Sequence, residues 1–195
     1  MFEVRLALGI EYDGTNWSGW QSQPTQNTIQ DHLEEAIKKF SMESIKVICA
    51  GRTDAGVHAK EQVVHFDTRL NREKYSWLRG VNSFLPESIN VKWVREVSPE
   101  FHARFSANSR MYSYTILNQK VRSSLNRYFT TWIAVPLDHY RISDAAKLLL
   151  GVHDFSAFRS SECQARSPIR KIIQISVEKT NSVIRIEIEA NAFLH

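Results

Sequence analysis

Apolar positions recur with two different periods along the first half of the chain. In EVRLALGIEYDG every second residue is apolar, which is the pattern of a half-buried β-strand. In NTIQDHLEEAIKKF apolar residues recur every three to four positions, which predicts an amphipathic helix with Asn27 or Thr28 as its N-cap. A second helix is predicted in NREKYSWLRGVNSFLP, ending before Pro86. Further strands are predicted in the short buried run SIKVICA and in EQVVHFDT and SINVKWVREV.

The second half of the chain repeats this mixture of strands and helix. SRMYSYTILN places Tyr112, Tyr114 and Ile116 on one face of a strand. TTWIAV is a candidate strand, and ISDAAKLLLG is predicted to be a helix with Ser143 as its N-cap and Gly151 beyond its C-terminus. RKIIQISVEK and SVIRIEIEANAF, separated by a Thr-Asn-Ser turn, predict an antiparallel hairpin.

This mixture of elements predicts an α+β protein with two halves, each a sheet with helices on one face. We expect an N-terminal domain over residues 1–106 and a C-terminal domain over residues 107–195. Because no Pro- or Gly-rich linker separates them, the halves are expected to share a sheet or a tight interface. The sequence stops at ANAFLH, within an apolar strand, so the second half is expected to be incomplete.

The composition is that of an ordinary globular protein. Of the 195 residues, 43% are apolar and 24% are charged, and no apolar run approaches the ~20 residues that a membrane-spanning helix needs. The N-terminus is acidic and strand-like, unlike a signal peptide. Cys49 and Cys163 lack CxxC spacing and are interpreted as free thiols, which favours a cytoplasmic protein. The formal net charge of +4, with basic residues concentrated in the second half, slightly favours a nucleic-acid partner.

The segment GRTDAGVHA places ionisable side chains in a turn that follows a predicted strand. Gly51 and Gly56 allow a tight excursion of the backbone, and Arg52 and Asp54 would point the same way in an extended stretch. A guanidinium beside a carboxylate keeps the carboxylate ionised, as a nucleophile or a general base must be. The residues alone leave a second interpretation open, in which Asp54 caps local amides and Arg52 forms a surface ion pair.

Seven blocks of the sequence, in order from one end to the other, resemble the tRNA pseudouridine synthase A family. GRTDAGVHA resembles the signature of that family and is a long, specific match. The resemblance covers the whole of this chain and only part of a typical member. The blocks are EYDGTNWSGWQ, GRTDAGVHAKEQVVHFDT, GVNSFLP, FHARFSA, RMYSYTI, GVHDFSAFR and ANAFLH.

The resemblance implies isomerisation of uridine to pseudouridine at positions 38 to 40 in the anticodon stem-loop of tRNA, a reaction that needs no cofactor and no metal. Asp54 matches the catalytic aspartate, whose step is open between attack on the sugar, attack on C6 of the base and removal of a sugar proton. Arg52 matches the residue that helps to extrude the target nucleotide. Tyr112 matches a tyrosine that stacks on the uracil, although its position on an alternating strand is equally typical of a core residue.

Further parts of the chain resemble segments that contact tRNA in the family, and Arg104 and Arg166 are the cations there that suit a phosphate contact. Arg72 and Lys120 are weaker matches, which a solvated surface charge explains equally well. The tRNA-contacting residues implied by the resemblance are Phe101, His102, Ala103, Arg104, Phe105, Glu162, Cys163, Gln164, Ala165, Arg166, Arg72 and Lys120.

The resemblance also implies two ferredoxin-like or RNA-recognition-like halves with mostly antiparallel sheets, an active-site cleft between the halves, and a homodimer that receives the anticodon arm. No membrane partner is expected. A tRNA-binding protein that has lost catalysis with its C-terminal segment shares every motif and is the alternative. A metal-dependent hydrolase is a more distant alternative, because His58, His65 and Cys49 match no zinc-ligand spacing.

Overall fold

The computed structural model describes residues 3–160, 163 and 165–194, and the chain divides into two compact units, Met1–Ala107 and Asn108–His195. Unit 1 contains β1 (Val4–Tyr12), α1 (Ile29–Ser41), β2 (Ile48–Cys49), β3 (Ala59–Thr68), α2 (Lys74–Asn82) and β4 (Ile89–Val97). Unit 2 contains β5 (Arg110–Asn118), β6 (Thr131–Ile133), α3 (His139–Lys147), β7 (Gly151–Asp154), a 3₁₀ turn (Ser156–Phe158), β8 (Ile169–Thr180) and β9 (Val183–Ala190). Across these described ranges, no helix has the length and apolar character needed to cross a bilayer.

Unit 1 has the βαββαβ element order of a ferredoxin-like fold. Its sheet has the strand order β2-β3-β1-β4, and every neighbouring pair is antiparallel. The two central strands, β1 and β3, have 9 and 10 residues. The predicted α+β class and ferredoxin-like arrangement are therefore confirmed for unit 1.

Alternate residues of β1 form the hydrophobic core of unit 1. Leu6, Leu8 and Ile10 are at most 4% exposed and pack in one cluster with both helices. Trp77 of α2 is fully buried, and its ring meets that of Phe40 in α1 edge-on with centroids 5.0 Å apart. Both helices thus cover the same face of the sheet, and this packing holds the strands whose loops form the candidate site.

The opposite face of the unit 1 sheet carries no helix among the described residues. Arg5 of β1 and His65 of β3 lie on this face, and the indole of Trp93 covers Gly9, where a β-carbon would come within 2.2 Å of the ring. The irregular segment after β4 lies against it, because the backbone N–H of Ala103 donates to Nδ1 of His65 at 3.1 Å. This face therefore positions part of the loop structure of unit 1.

Two helix N-termini show how neighbouring capping residues compete. Thr28 caps α1 and accepts a hydrogen bond from a first-turn backbone N–H at 3.3 Å, as predicted. In contrast, α3 begins at His139 with Asp138 as its N-cap, so the prediction of Ser143 is wrong. The Asp138 carboxylate accepts from two backbone N–H groups at once and also interacts favourably with the positive end of the helix dipole. The earlier and charged cap therefore sets the start of the helix.

Unit 2 contains a mixed sheet with the strand order β6-β5-β9-β8-β7. β6 pairs with β5 in parallel, and the other pairs are antiparallel. The predicted hairpin is confirmed as β8 and β9, with Asn181 in the turn at a φ of 55°. α3 follows β5 and packs against β8. The order β5-β9-β8 therefore repeats the order of the first strand and the hairpin in unit 1, β1-β3-β2.

Two strands differ from the sequence-based prediction. SIKVICA is predicted to be a buried strand, but only Ile48–Cys49 pairs with β3, and Ile48 is 43% exposed because β2 lies at the sheet edge. Strand β7 is not predicted, because its four residues GVHD contain one large apolar side chain. Gly151, expected only to follow a helix, has a φ of 97° and opens this edge strand.

Replacing Trp77 by Ala is expected to lower the free energy of unfolding by about 3–5 kcal/mol, because it leaves a cavity between the helices and the sheet. Tyr75→Ala in the same helix is the control, since Tyr75 is 63% exposed and its loss should cost about 0.5 kcal/mol. Urea denaturation followed by circular dichroism measures both values. Equal losses in the two variants would contradict this location of the core.

Candidate functional site

The loop of residues 50–58, between β2 and β3, carries the GRTDAGVHA segment and is anchored by the adjoining strand. The N–H of Ala50 donates to Val63 O at 2.8 Å and extends the pairing of β2 with β3. The side chain of Gln62 donates from Nε2 to Gly51 O at 2.5 Å and accepts from Gly51 N–H at 3.3 Å. Gln62 is only 8% exposed, so its amide is a buried two-point clamp on the start of the loop.

The middle of the loop is held by the last residue of β1 and by the segment that follows it. Oη of Tyr12 and Oγ1 of Thr53 lie 2.8 Å apart, and the N–H of Trp20 donates to Thr53 O at 2.9 Å. Tyr12 and Trp20 are both buried, and their ring centroids are 6.0 Å apart. Thr53 is therefore fixed through its side chain and through its carbonyl by two residues of the hydrophobic core.

Two glycines allow this segment to approach the loop closely. A β-carbon on Gly14 would lie 2.0 Å from Val57 O, and one on Gly19 would lie 2.7 Å from Thr53 O. Gly19 also has a φ of 87°, which residues with a side chain rarely adopt. The glycines of the EYDGTNWSGWQ block are thus required where that block packs on the loop.

Arg52 and Asp54 are both exposed, whereas Thr53 between them is half-buried. This alternation agrees with the expectation for an extended stretch, in which residues two apart point the same way. A tight turn follows at once, because Val57 N–H donates to Asp54 O at 3.2 Å and Gly56 has a φ of 78°. A guanidinium and a carboxylate are therefore presented to solvent by a backbone that is held on both sides.

The end of the loop is held by His58. Its Nδ1 accepts from Gly14 N–H at 3.1 Å and lies 3.0 Å from Oδ1 of Asp13. The same carboxylate oxygen accepts from the N–H and the hydroxyl of Thr15, at 3.0 and 2.5 Å. Burial acts to raise the pKa of Asp13, but the hydrogen bonds from Thr15 act against it, and this pKa lies below its usual value. Asp13 is therefore ionised at neutral pH and keeps the 13–15 turn closed beside the loop.

The segment with the sequence FHARF, residues 101–105, is held by ring contacts on the helix-free face of unit 1. The His102 ring lies 4.8 Å from that of His65 and is stacked on that of Phe105 at 4.2 Å. Phe105 is 75% exposed. Ala103 is 2% exposed, so among the residues predicted to contact tRNA it is one that packs on the protein.

Arg52 and Arg104 lie far apart in the sequence, and the positive charges of both affect the pKa of the same thiol. Burial raises the pKa of Cys49 to about 11, and the positive charges of Arg52 and Arg104 oppose that rise. Two cations predicted from separate blocks are thus brought near the β2 edge of the unit 1 sheet. In the part of the chain that the structure describes, no three His, Cys, Asp or Glu side chains are grouped to hold a metal ion.

Arg72 lies away from Arg52 and Arg104. Its guanidinium is 4.7 Å from the centre of the Phe40 ring, and Nη1 donates to Phe40 O at 3.4 Å. Phe40 belongs to α1 and packs against the core cluster on the helix-covered face. Arg72 and the FHARF segment therefore lie on opposite faces of the unit 1 sheet.

In unit 2, Tyr112 occupies a half-buried position on β5, opposite Ile188 of β9. Its ring meets that of Phe193 edge-on, with centroids 4.7 Å apart and an interplanar angle of 78°. This contact restricts the orientation of the Tyr112 ring. Lys120 is exposed in the connection between β5 and β6.

The remaining predicted tRNA contacts lie in the segment before β8. Arg159 bonds two described residues of this segment: its Nη2 donates to Cys163 O at 3.0 Å and to Ala165 O at 2.6 Å. Cys163 is buried and Arg166 is exposed. Glu162 and Gln164 lie outside the residues that the structure describes.

Sequence reasoning missed the residues that hold the loop, Gln62 above all. Gln62 lies opposite Ile10 in the β1–β3 pairing and shares the inward register of Val64 and Phe66. A polar residue at an inward strand position must find buried hydrogen-bond partners. That position, in EQVVHFDT, is the signal that could have identified the clamp.

Comparison with known proteins matches residues 9–106 and 145–195 to a family model described as tRNA pseudouridine synthase. A protein named tRNA pseudouridine synthase A from Janthinobacterium sp. (strain Marseille) is 52% identical over 197 residues, covering 98% of this chain and 73% of that protein. Proteins of the same name from Herminiimonas arsenicoxydans and Bordetella avium (strain 197N) are 52% and 51% identical, covering 98% of this chain and 71% and 73% of their own lengths. The matched ranges include Asp54 and the FHARF segment, whereas Tyr112 lies between them.

Cys49 in a Cys163→Ser background is expected to react with a disulfide reagent at pH 8 on the order of 100-fold more slowly than free cysteine, because the thiolate is the nucleophile. Arg104→Ala should raise the apparent pKa of Cys49 further, since it removes a positive charge that favours the thiolate. Lys38→Ala, which removes an exposed charge on α1 of the same unit, is the control. The pH dependence of the reaction rate measures this pKa, and no change in Arg104→Ala would argue against the placement of Arg104.

Proposed function

The chain belongs to the tRNA pseudouridine synthase family, an isomerase family that converts uridine to pseudouridine in tRNA, and we propose that it acts at positions 38 to 40 of the anticodon stem-loop with Asp54 as the catalytic carboxylate. The observation that carries this proposal is the loop of residues 50–58. It presents an exposed Asp54 one residue from Thr53, which two core residues hold in place.

The chemistry explains why a carboxylate and a shaped site suffice. The glycosidic C–N bond breaks, the uracil turns, and C5 bonds to the same sugar carbon, while the proton on C5 is lost to solvent and N1 gains one. No electrons enter or leave, so the reaction needs no redox cofactor, and the resemblance to the family implies no metal. The carboxylate of Asp54 can serve by attacking the sugar, by attacking C6 of the base or by removing a sugar proton.

Arg52 is proposed to help extrude the target nucleotide and to occupy the space that it leaves. Removing a base from a helix costs a few kcal/mol, so an enzyme that acts on a paired base needs a group that compensates. A guanidinium is planar and can both stack on bases and bond phosphate. Arg52 is exposed next to the held residue Thr53, which supports this role.

Tyr112 is proposed to stack on the extruded uracil. A phenol ring offers a flat face that tolerates any base, and such stacking contributes about 1–3 kcal/mol per base. The edge-on contact with Phe193 at 4.7 Å supports this role, because a ring with a restricted orientation loses less freedom on binding.

The FHARF segment is proposed to contact the tRNA backbone, with Arg104 as its phosphate ligand. Arg166 and Lys120 are exposed cations in unit 2 and are proposed to act in the same way. Arg72 packs on Phe40, so it is the weakest candidate among the cations that are predicted to contact tRNA. A cytoplasmic homodimer is proposed from the family resemblance.

The position of modification is tested on an unmodified tRNA transcript. We expect new carbodiimide-dependent stops of primer extension at positions 38 to 40, on the 3′ side of the anticodon arm. A transcript with cytidine at these positions is the control and should give no such stops. Stops elsewhere in the tRNA would contradict the proposed target, and tight binding without any stop would indicate a binding protein.

Asp54→Asn is expected to reduce pseudouridine formation by about 10³-fold or more while changing tRNA affinity by less than about threefold, because it removes the reacting carboxylate and keeps the shape of the side chain. Release of tritium from tRNA labelled at C5 of uridine measures turnover, since the C5 proton is lost in the reaction. Asp144→Asn, an exposed position in α3, is the control. Turnover at the wild-type rate in Asp54→Asn would contradict the assignment of Asp54 as the catalytic carboxylate.

A further inference from the structure

Arg5 uses its guanidinium to join β1, β3 and the segment after β4. Nε and Nη2 donate to the two carboxylate oxygens of Asp67 at 2.7 and 2.8 Å. Nη1 donates to Pro99 O and, at 2.9 Å, to Phe101 O. The two-point pairing with Asp67 fixes the plane of the guanidinium, so Nη1 is aimed at the chain where the FHARF segment begins.

The ion pair is stable at neutral pH. The hydrogen bond from Arg5 is the main cause that holds the pKa of Asp67 below its usual value. The Arg5 side chain is 21% exposed, so its bonds to the backbone are partly shielded from water. Arg5 therefore remains engaged with the protein and is not a freely moving surface cation.

His65 supplies a second anchor, further along the same segment. Its Nδ1 accepts from the N–H of Ala103 at 3.1 Å, and both residues are 2% exposed. Burial, followed by the charges of His102 and Arg5, lowers the pKa of His65. The ring is therefore neutral at pH 7, which leaves Nδ1 able to accept this bond.

The anchors fall on alternate residues of an irregular segment. Pro99, Phe101 and Ala103 are bonded to Arg5 or His65, and Arg104 and Phe105 follow directly as exposed side chains. Residues 101–107 belong to no helix or strand, so no ladder of backbone bonds fixes their course. Two hydrogen bonds close a turn around Arg104, from Ser106 N–H to His102 O at 2.7 Å and from His102 N–H to Ser106 Oγ at 3.0 Å. The bonds to Arg5 and His65 tie that turn to the sheet.

We propose that Arg5 and His65 are positioning residues for tRNA binding, which fix the FHARF segment so that Arg104 meets the RNA without reordering. This inference rests on the proposed role of that segment as a tRNA contact. Each residue that must be ordered on binding weakens affinity by roughly fivefold or more. Without the bonds to Arg5 and His65, the FHARF segment would have to be ordered on binding, and its affinity for tRNA would be lower.

A double-mutant cycle tests the link between Arg5 and Arg104. We expect Arg5→Ala and Arg104→Ala each to weaken binding of a tRNA transcript about tenfold, the size of one charged hydrogen bond. The double variant should also lose about tenfold, because Arg104 contributes little once its support is gone. Arg69→Ala is the matched control: it also removes an ion-paired arginine near the end of β3, and it should change binding less than twofold. A hundredfold loss in the double variant would overturn the proposal.

Substitutions of His65 test the second anchor with a conservative rescue. His65→Asn keeps an acceptor near the position of Nδ1 and should retain binding within about threefold, whereas His65→Leu should lose about tenfold. The turnover rate at saturating tRNA should stay unchanged in both variants, because the effect is on binding. Equal losses in the two variants, or a loss confined to the turnover rate, would overturn the role of His65.

Two controls separate this inference from the proposed function. Circular dichroism and thermal unfolding identify any variant that fails to fold, and Asp67→Asn then replaces Arg5→Ala in the cycle as a milder change to the same clamp. A wild-type chain that neither binds nor modifies the transcript would overturn the proposed function itself. A wild-type chain that does both, with additive effects in the cycle, would overturn only the positioning role.

Discussion

The two hydrogen bonds that hold Thr53 are the constraint on which the candidate site depends. Arg52 and Asp54 are its immediate neighbours, so their positions follow from the position of this one residue. The donors and acceptors come from Tyr12 and Trp20, which are buried in the core of unit 1. Together with the Gln62 clamp and the contact of His58, these bonds tie the loop to the packed core of unit 1. Because reacting groups must be placed to a fraction of an ångström, the proposed catalytic role of Asp54 depends on this link between core and loop.

Strand β1 supports the site from both of its faces. Its inward residues, such as Leu8, pack against the helices, while the outward residue Arg5 holds the segment that precedes Arg104. Successive side chains of a strand point to opposite faces, so one strand can serve both in the core and in holding the segment that is proposed to contact tRNA. The same strand leads directly into the segment whose Trp20 N–H donates to Thr53 O.

The local structure was predictable where a periodic pattern or a single strong cap decides it. The helix at Thr28 and the hairpin of β8 and β9 follow from such patterns. The start of α3 did not follow, because the rule that favours Ser143 applies equally to Asp138, which comes earlier in the chain and accepts from two backbone N–H groups. Strand β7 has too few apolar residues for periodicity to reveal it, and its pairing with β8 is decided by the sheet.

The sequence by itself determined the family, the α+β class and the candidate residues Asp54, Arg52 and Arg104, because motifs and periodic patterns are local properties of the chain. Only the tertiary structure decided what holds these residues in place. The contact of Tyr12 with Thr53 spans 41 positions, and that of Arg5 with Phe101 spans 96. No local pattern specifies which distant partner a buried hydroxyl or a guanidinium will find. That choice is made by the pairing of β1 with β3 and by the tendency of buried polar groups to find hydrogen-bond partners.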